Sequence, residues 1–208
     1  MRESYATEQE QLWAGEFGTD YIKRNRGERA LASNLALLSR ALRSAQEVSS
    51  CIEFGANIGL NLRAMQLLLP GIEAHAIEIN HEATRELAQV IPQSRIHHTS
   101  ILDFEPQQTW DLVLTKGVLI HMNPACLPQV YDKLVAACRR YLLVAEYYNP
   151  SPVTVSYRGH EGQLFKRDFA GEIMERHEKV RLLDYGFAYR RDPKFPQDDI
   201  TWFLMEVS

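Results

Sequence analysis

The sequence predicts a single α/β domain of 208 residues, built on a doubly wound sheet of seven strands that is mostly parallel, with one antiparallel strand at the C-terminal end and helices on both faces. Three observations carry this. Short apolar runs alternate with helical patterns from residue 50 to about residue 177, as strand–helix–strand units do when their strands are parallel. The last two strand patterns, 180–190 and 199–207, have only a proline-containing turn between them, so they pair as an antiparallel hairpin. The first strand pattern runs into EFGANIG, a glycine-bearing bend where such a sheet reverses its strand order and leaves a crevice.

Each element has a local cause. Residues 8–24 hold Leu12, Trp13, Phe17, Tyr21 and Ile22 at loose helical spacing broken by glycines. Residues 28–46 place Leu31, Leu35, Leu38 and Leu42 on one stripe, a helix. A short buried strand follows at 50–54, then a helix over 57–69 stopped by Pro70-Gly71. EAHAIEIN (73–80) reads as a strand and HEATRELAQVI (81–91) as a helix ended by Pro92. RIHHT (95–99) is a short strand and WDLVLTKG (110–117) an apolar one. Pro124 opens a helix carrying Leu127, Val130, Leu134 and Val135. YLLVAEYY (141–148) is the fifth strand, and AGEIMERH (170–177) a helix. Residues 149–167 read as a long polar loop. The division expected is a helical lid over 1–46 and a sheet core over 47–208, with 149–167 as a loop on the acceptor side.

Composition excludes several classes. Apolar residues make up 45% and charged residues 24%, with a net charge of −4. A nucleic-acid binder usually carries a strong basic excess, and the one basic cluster, Lys23, Arg24, Arg26 and Arg29, encloses Glu28. Cys51, Cys126 and Cys138 have neither C-x-x-C spacing nor an even count, so no disulfide framework is expected. The polar start MRESYATEQEQ has no apolar signal region, and no run approaches membrane-spanning length. A cytoplasmic protein without membrane or nucleic-acid partners is expected. His97 and His98 are adjacent on a strand and point to opposite faces, so they do not share an ion and no metal is expected.

The bend has two nucleotide readings. A dinucleotide fingerprint needs G-x-G-x-x-G, but from Gly55 the chain has Asn57 and Leu60 where glycines are required. The alternative is an acidic residue, a spacer and G-x-G-x-G; here Glu53 precedes Gly55, Asn57 and Gly59. Only the middle glycine is replaced, and asparagine tolerates a left-handed backbone. A plain tight turn would need no ligand. The second strand, however, ends at Glu78, nineteen residues past Gly59. A carboxylate there offers two oxygens in one plane to the two hydroxyls of a ribose.

In these pieces the chain resembles the class I S-adenosylmethionine-dependent methyltransferases, whose sheet is Rossmann-like. The resemblance implies that Gly55, Asn57 and Gly59 pass beside the amino-acid moiety of S-adenosylmethionine and that Glu53 lies near its ammonium group. It implies that Glu78 meets the ribose, that Ile79 adjoins the cofactor, and that Ser100 and Ile101 lie at the adenine. An acidic residue is usual at the position of Ser100, and Asp103 is the other source of that carboxylate. The run WDLVLTKGVLIHM (110–122) resembles the fourth strand of the class and adds Lys116 to the cofactor set.

More narrowly, LWAGEFGTDYIKRN, TKGVLIHMNP, EYYNPSPVTVSYRGHEGQLFKRDFAG and DYGFAYRRDPKFPQDDITWFL resemble the pseudaminic acid biosynthesis-associated methyltransferases over nearly the whole chain. This implies a small-molecule acceptor, such as an acidic sugar or sugar nucleotide of nonulosonic acid and surface-polysaccharide biosynthesis.

Methyl transfer requires alignment, exclusion of water and removal of a proton from the acceptor. His160 is the first candidate base and His121, after the fourth strand, the second; His121 also reads as a residue packed under the next helix. Tyr147, Tyr157, Arg158, Lys166 and Arg167 are candidates for the acceptor, the basic ones suiting a carboxylate or phosphate. Trp13, Phe17, Tyr21, Arg24 and Asn25 would form the lid, and Pro193, Pro196, Asp198 and Asp199 a stiff turn.

Three rivals remain. A base-directed methyltransferase would carry N/D-P-P-Y/F after the fourth strand, where this chain has TKGVLIH; its NPSP (149–152) comes one strand later. A nicotinamide-dependent reductase needs the missing glycines. A non-catalytic binding module is the third.

Overall fold

The computed structural model describes residues 5–24, 26–157 and 160–208, except the side chains of Arg24, His160 and Glu161. Asn25 and Arg158 therefore lie outside the described residues, as does the His160 side chain.

Two short helices open the chain, α1 (Glu8–Ala14) and α2 (Glu16–Arg24), followed by α3 (Glu28–Ala41). The alternating region is β1 (Ser50–Phe54), α4 (Leu60–Leu68), β2 (Glu73–Glu78), α5 (His81–Leu87), β3 (Ile96–His98), β4 (Trp110–Lys116), α6 (Leu127–Ala137) and β5 (Cys138–Glu146). Then come β6 (Val153–Tyr157), β7 (His160–Lys166), α7 (Phe169–Arg176), β8 (Val180–Ala188) and β9 (Ile200–Val207).

Seven strands form one sheet in the order β3-β2-β1-β4-β5-β9-β8. The pairs β1–β2, β1–β4, β2–β3 and β4–β5 are parallel, whereas β9 runs antiparallel to both β5 and β8. The chain leaves β1 towards β3, then returns to place β4 on the other side of β1. The reversal therefore falls at the carboxyl end of β1, where the glycines are.

Alternation along each strand builds two cores. Ile52, Phe54, Val113, Leu142 and Val144 face α6 and α7, joined by Leu134, Phe169 and Ile173. Cys51, Leu112, Leu114, Leu143 and Leu204 face α3, α4 and α5, joined by Leu37, Leu38, Leu62, Met65 and Leu87. Covered on both faces, the central strands are continuously apolar rather than alternating, as parallel sheets require.

Side-chain caps fix the starts of three helices. Thr7 Oγ1 accepts from Glu10 N while a Glu10 carboxyl oxygen accepts from Thr7 N, a capping box that opens α1. Asn80 Oδ1 accepts from Ala83 N at 3.1 Å at the start of α5, and Asp168 Oδ1 from Gly171 N at 2.9 Å at the start of α7.

Several element boundaries differ from the sequence reading, α5 ending at Leu87 rather than 91 and β5 starting at Cys138 rather than 141 among them. Helix α4 begins at Leu60 because 57–59 form the bend itself, and α3 stops at Ala41 rather than 46. The larger correction concerns 149–167, which is not a loop. Strands β6 and β7 pair there as a separate antiparallel hairpin, with Val153 opposite Lys166 and Val155 opposite Leu164. The β-branched run VTVSY favours extended backbone, and Leu164 and Phe165 are buried on the returning strand; the density of polar residues hid both signals.

Candidate functional site

A cavity of about 430 Å³ opens at the carboxyl ends of β1, β2 and β4 and is bounded on its other side by α1 and α2. The bend 55–59 forms its floor. Gly55 and Ala56 donate their amides to Ile77 O at 2.9 and 3.0 Å, tying the end of β1 to β2. Gly55 (φ 78°), Asn57 (φ 49°) and Gly59 (φ 79°) all adopt the left-handed region, so the replacement of the middle glycine by asparagine is conformationally matched. A Cβ at Gly55 would lie 2.6 Å from Val118 Cγ2, and one at Gly59 2.6 Å from Leu87 Cδ1.

Two buried carboxyls flank the bend. Glu78 Oε2 accepts from Asn57 N and Oε1 from Asn80 N, both at 2.7 Å. These bonds fix the plane of the carboxyl and leave each oxygen with a second lone pair. Burial raises the Glu78 pKa, against the lowering effect of the Asn80 and Asn57 amides. Glu53 is fully buried, and its Oε1 accepts from Asn61 Nδ2 at 2.6 Å. Burial pushes it from an ordinary 4.5 up to about 8; the Asn61 bond and the charge of Lys116 oppose the shift. Lys116, at the end of β4, is lowered by burial, against the attraction of Glu53, Asp198 and Glu146.

Glu53 Oε2, Asn57 Oδ1 and Asn61 Oδ1 are buried without a hydrogen-bond partner. Asn57, Asn61 and Lys116 line the cavity. With Glu53 ionised, the three orphaned atoms are all acceptors, so this end suits a donor group such as an ammonium, whose charge would itself favour the ionised carboxylate, with Lys116 available for a carboxylate.

Next to them, Ser100, Ile101 and Ile79 line the cavity. Asp103 does not; it borders a second hollow with His97 and Trp110. His97 stacks on His75 at 6.0 Å, whereas His98 lies against His81 and the Ile79 carbonyl.

The opposite wall is aromatic. His121 lies between Trp13 and Tyr157, with ring centroids 4.8 Å from each. Phe17 and Tyr21 pack on Trp13 at 5.3 and 5.1 Å. The His121 Nδ1 sits 2.7 Å from Gln163 O, a carbonyl that only accepts, so Nδ1 carries the proton and Nε2 is bare in the neutral ring. Burial lowers its pKa to about 4. The turn 119–121 that presents it hangs on Glu146, whose carboxyl accepts from Val118 N, Leu119 N and Ile120 N at 3.0, 3.1 and 3.4 Å. Burial raises Glu146 to about 7.

The cavity thus gathers Gly55, Asn57, Glu78, Ile79, Ser100, Ile101, Lys116, His121, Tyr147 and Tyr157 from the sequence-derived set. Glu53 and Gly59 stand behind its floor. Lys166 and Arg167 do not line it: Lys166 Nζ lies 5.4 Å over the Tyr147 ring, and Arg167 pairs with Glu172 at 2.7 Å. Pro196, Gln197 and Asp198 of the 189–199 turn do border the cavity. Sequence reasoning missed Asn61, Asn80 and Glu10. Asn61 follows Gly59 by two residues on the first turn of α4, a position that could have suggested a second polar group at the bend. The T-x-x-E signature at Thr7–Glu10 was visible, but not that its glutamate reaches Ser100, ninety residues away.

No protein-family model and no curated protein sequence matches the chain. Solved structures do match in fold. Magnesium protoporphyrin IX methyltransferase from Synechocystis PCC 6803, crystallised with S-adenosylmethionine, superposes with a TM-score of 0.71 at 13% identity, over 99% of this chain and 100% of that one. The 1,6-didemethyltoxoflavin-N1-methyltransferase of Burkholderia thailandensis, bound to 1,6-didemethyltoxoflavin and S-adenosylhomocysteine, gives 0.71 at 14%, over 100% and 93%. A plantazolicin methyltransferase with S-adenosylhomocysteine gives 0.65 at 12%, over 96% and 94%. The chain therefore has the Rossmann-like fold of the class I S-adenosylmethionine-dependent methyltransferases. Among the described residues no helix is long and apolar enough to cross a membrane.

The buried carboxyls give the protein a pH signature. Glu53 and Glu146 have folded values of about 8 and about 7, against an ordinary 4.5. The folded state then holds protons that the unfolded chain has released, so the contribution of these two groups to stability is full below their ordinary value and is lost as pH rises through the folded ones. His121 acts oppositely between about 4 and 6.5, where its folded form binds less proton than the unfolded chain. Between pH 6.5 and 8 Glu53 therefore dominates among these three. Urea unfolding is expected to show stability declining across that window, and Glu53→Gln to flatten the decline; an equal slope in the variant would contradict the assignment.

Proposed function

We propose that this protein is an S-adenosylmethionine-dependent methyltransferase acting on a small molecule. The observation that carries the reading is the set of orphaned acceptors, Glu53 Oε2, Asn57 Oδ1 and Asn61 Oδ1, beside a second buried carboxyl, Glu78, across a left-handed bend. One end suits an ammonium and the other a pair of vicinal hydroxyls, and the fold is one whose solved examples hold this cofactor. Gly55, Asn57 and Gly59 would pass beside the amino-acid moiety, Lys116 would meet its carboxylate, and Ile79, Ser100 and Ile101 would border the adenine. When bound, S-adenosylmethionine supplies the electrophilic methyl group.

The chain's own contribution lies on the aromatic side. Trp13, Phe17, Tyr21, Tyr147 and Tyr157 exclude water and align an acceptor, which in favourable cases is worth roughly 7–11 kcal/mol. His121 Nε2, bare in the tautomer set by Gln163 and neutral above about pH 4, takes the proton that the acceptor releases. His121 takes this role because it lines the cavity; the side chain of His160, the other candidate base, lies outside the described residues. The helices of 1–46 serve as the lid of one domain whose core is 47–208.

The narrower acceptor, an acidic sugar or sugar nucleotide of nonulosonic acid biosynthesis, rests on the sequence resemblance. Of the basic residues offered for it, Arg167 is engaged with Glu172, Lys166 lies over the Tyr147 ring and Arg158 lies outside the described residues.

Thermal unfolding with S-adenosylhomocysteine tests the cofactor. At a hundred times its dissociation constant a ligand stabilises by roughly 2.7 kcal/mol; a shift with this nucleoside and none with NADH is expected, and the reverse would favour a reductase. His121→Asn tests the base, since asparagine can still donate to Gln163 O. It is expected to leave nucleoside affinity unchanged and to lower kcat by about 10²–10⁴-fold; an unchanged kcat would make His121 a packing residue only.

A further inference from the structure

We infer that the adenine amino group is read by Glu10, a residue of the N-terminal helix α1, and not by the loop after β3. The inference rests on the cofactor reading above. The loop after β3 presents Ser100 to the cavity, and Ser100 has no carboxylate with which to accept from an exocyclic amine. Its hydroxyl is largely engaged: Ser100 Oγ accepts from Leu102 N at 3.0 Å and donates its proton to Glu10 Oε1, which leaves it one neutral lone pair, a weaker acceptor than a carboxylate oxygen. The serine thus hands the position to a carboxyl from another element. Glu10 and Ser100 both line the cavity, and both are buried, at 6% and 5% exposure.

Glu10 has the remaining capacity. Its Oε1 accepts from Ser100 Oγ, and its Oε2 from Thr7 N at 2.9 Å and Thr7 Oγ1 at 3.1 Å. Three of about four acceptor sites are thereby filled, which leaves Oε1 one further lone pair. The neighbouring Gln9 Oε1 is buried without a partner and lines the same cavity, a second acceptor from the same helix.

Helix α1 is held at both ends. Gln9 Nε2 donates to Gly162 O at 2.9 Å. Asn80 Nδ2 lies 3.1–3.4 Å from the carbonyls of Trp13, Ala14 and Gly15, and Asn80 N donates to Glu78. The helix that carries the adenine reader is thus tied to the residue that would hold the ribose. The lid completes the nucleoside site as well as covering it.

The test uses S-adenosylhomocysteine and its 6-oxo analogue, S-inosylhomocysteine, each titrated against the 208-residue protein. A carboxyl acceptor favours the amine and rejects the carbonyl; an amide accepts from one and donates to the other. The wild type is expected to favour S-adenosylhomocysteine by at least about tenfold, the scale of one charge-assisted hydrogen bond. Glu10→Gln is expected to reduce that preference several-fold, with little loss of fold because glutamine also serves at this capping-box position. Glu10→Ala is expected to do the same. An unchanged ratio in either variant, including equal loss for both ligands, would overturn the inference. Binding of neither nucleoside by the wild type would overturn the cofactor reading with it, whereas adenosyl binding with an unchanged ratio removes Glu10 alone.

Discussion

Glu78→Gln is expected to weaken S-adenosylhomocysteine by about ten- to a hundredfold, and Glu78→Ala to abolish measurable binding. The scale is that of hydrogen bonds to a charged acceptor, each worth about 1.5–3 kcal/mol. Glutamine keeps one carbonyl oxygen and so one such bond. It also turns an amide donor towards Asn57 N or Asn80 N, both of which now donate at 2.7 Å. One buried N–H left unpaired costs about 1–3 kcal/mol, so the glutamine variant is expected to fold with a lowered Tm. The alanine variant leaves both amides unpaired, and its binding is read by titration below its own Tm. Wild-type affinity in the glutamine variant would mean that no ribose rests on Glu78.

Gly55→Val is the second large effect. Valine would have to occupy φ 78° with its Cβ 2.6 Å from Val118 Cγ2. Left-handed backbone costs an L-residue roughly 1–2 kcal/mol and overpacking typically about 1–3 kcal/mol. A loss of roughly 2–5 kcal/mol in stability is therefore expected from denaturant unfolding, together with loss of the nucleoside-induced thermal shift. Gly71→Ala supplies the control. Gly71 also has a positive φ, 89°, but nothing lies within 4 Å of its Cβ position and it does not line the cavity. It is expected to lose stability by strain alone while binding the nucleoside as the wild type does. If the Gly55 variant binds normally, the bend is a plain turn.

The contrast between these glycines shows what the sequence reveals and what it conceals. The alternation of 50–148 and the hairpin of 180–207 are periodic signals, and each strand of the sheet follows from them. The bend was legible because Gly55, Asn57 and Gly59 are spaced within one turn between Glu53 and Glu78, all local features. The hairpin of 153–166 was not, because Tyr157, Lys166 and Arg167 suggested solvent while the pairing partner of VTVSY was an equally polar strand. The remaining gaps are long-range contacts between residues of ordinary type. Nothing local shows that Ser100 bonds to Glu10, that Asn80 clamps the end of α1, or that Gln163 sets the tautomer of His121. Periodicity reports which face a residue occupies; it does not report which distant side chain completes its hydrogen bonds.

A crystal structure with S-adenosylhomocysteine tests the central claim most directly. The ribose hydroxyls are expected on the Glu78 oxygens, the ammonium among Glu53, Asn57 and Asn61, and the thioether facing His121 and Tyr157. Density for the nucleoside elsewhere, or a cavity that stays empty at saturating concentration, would contradict it.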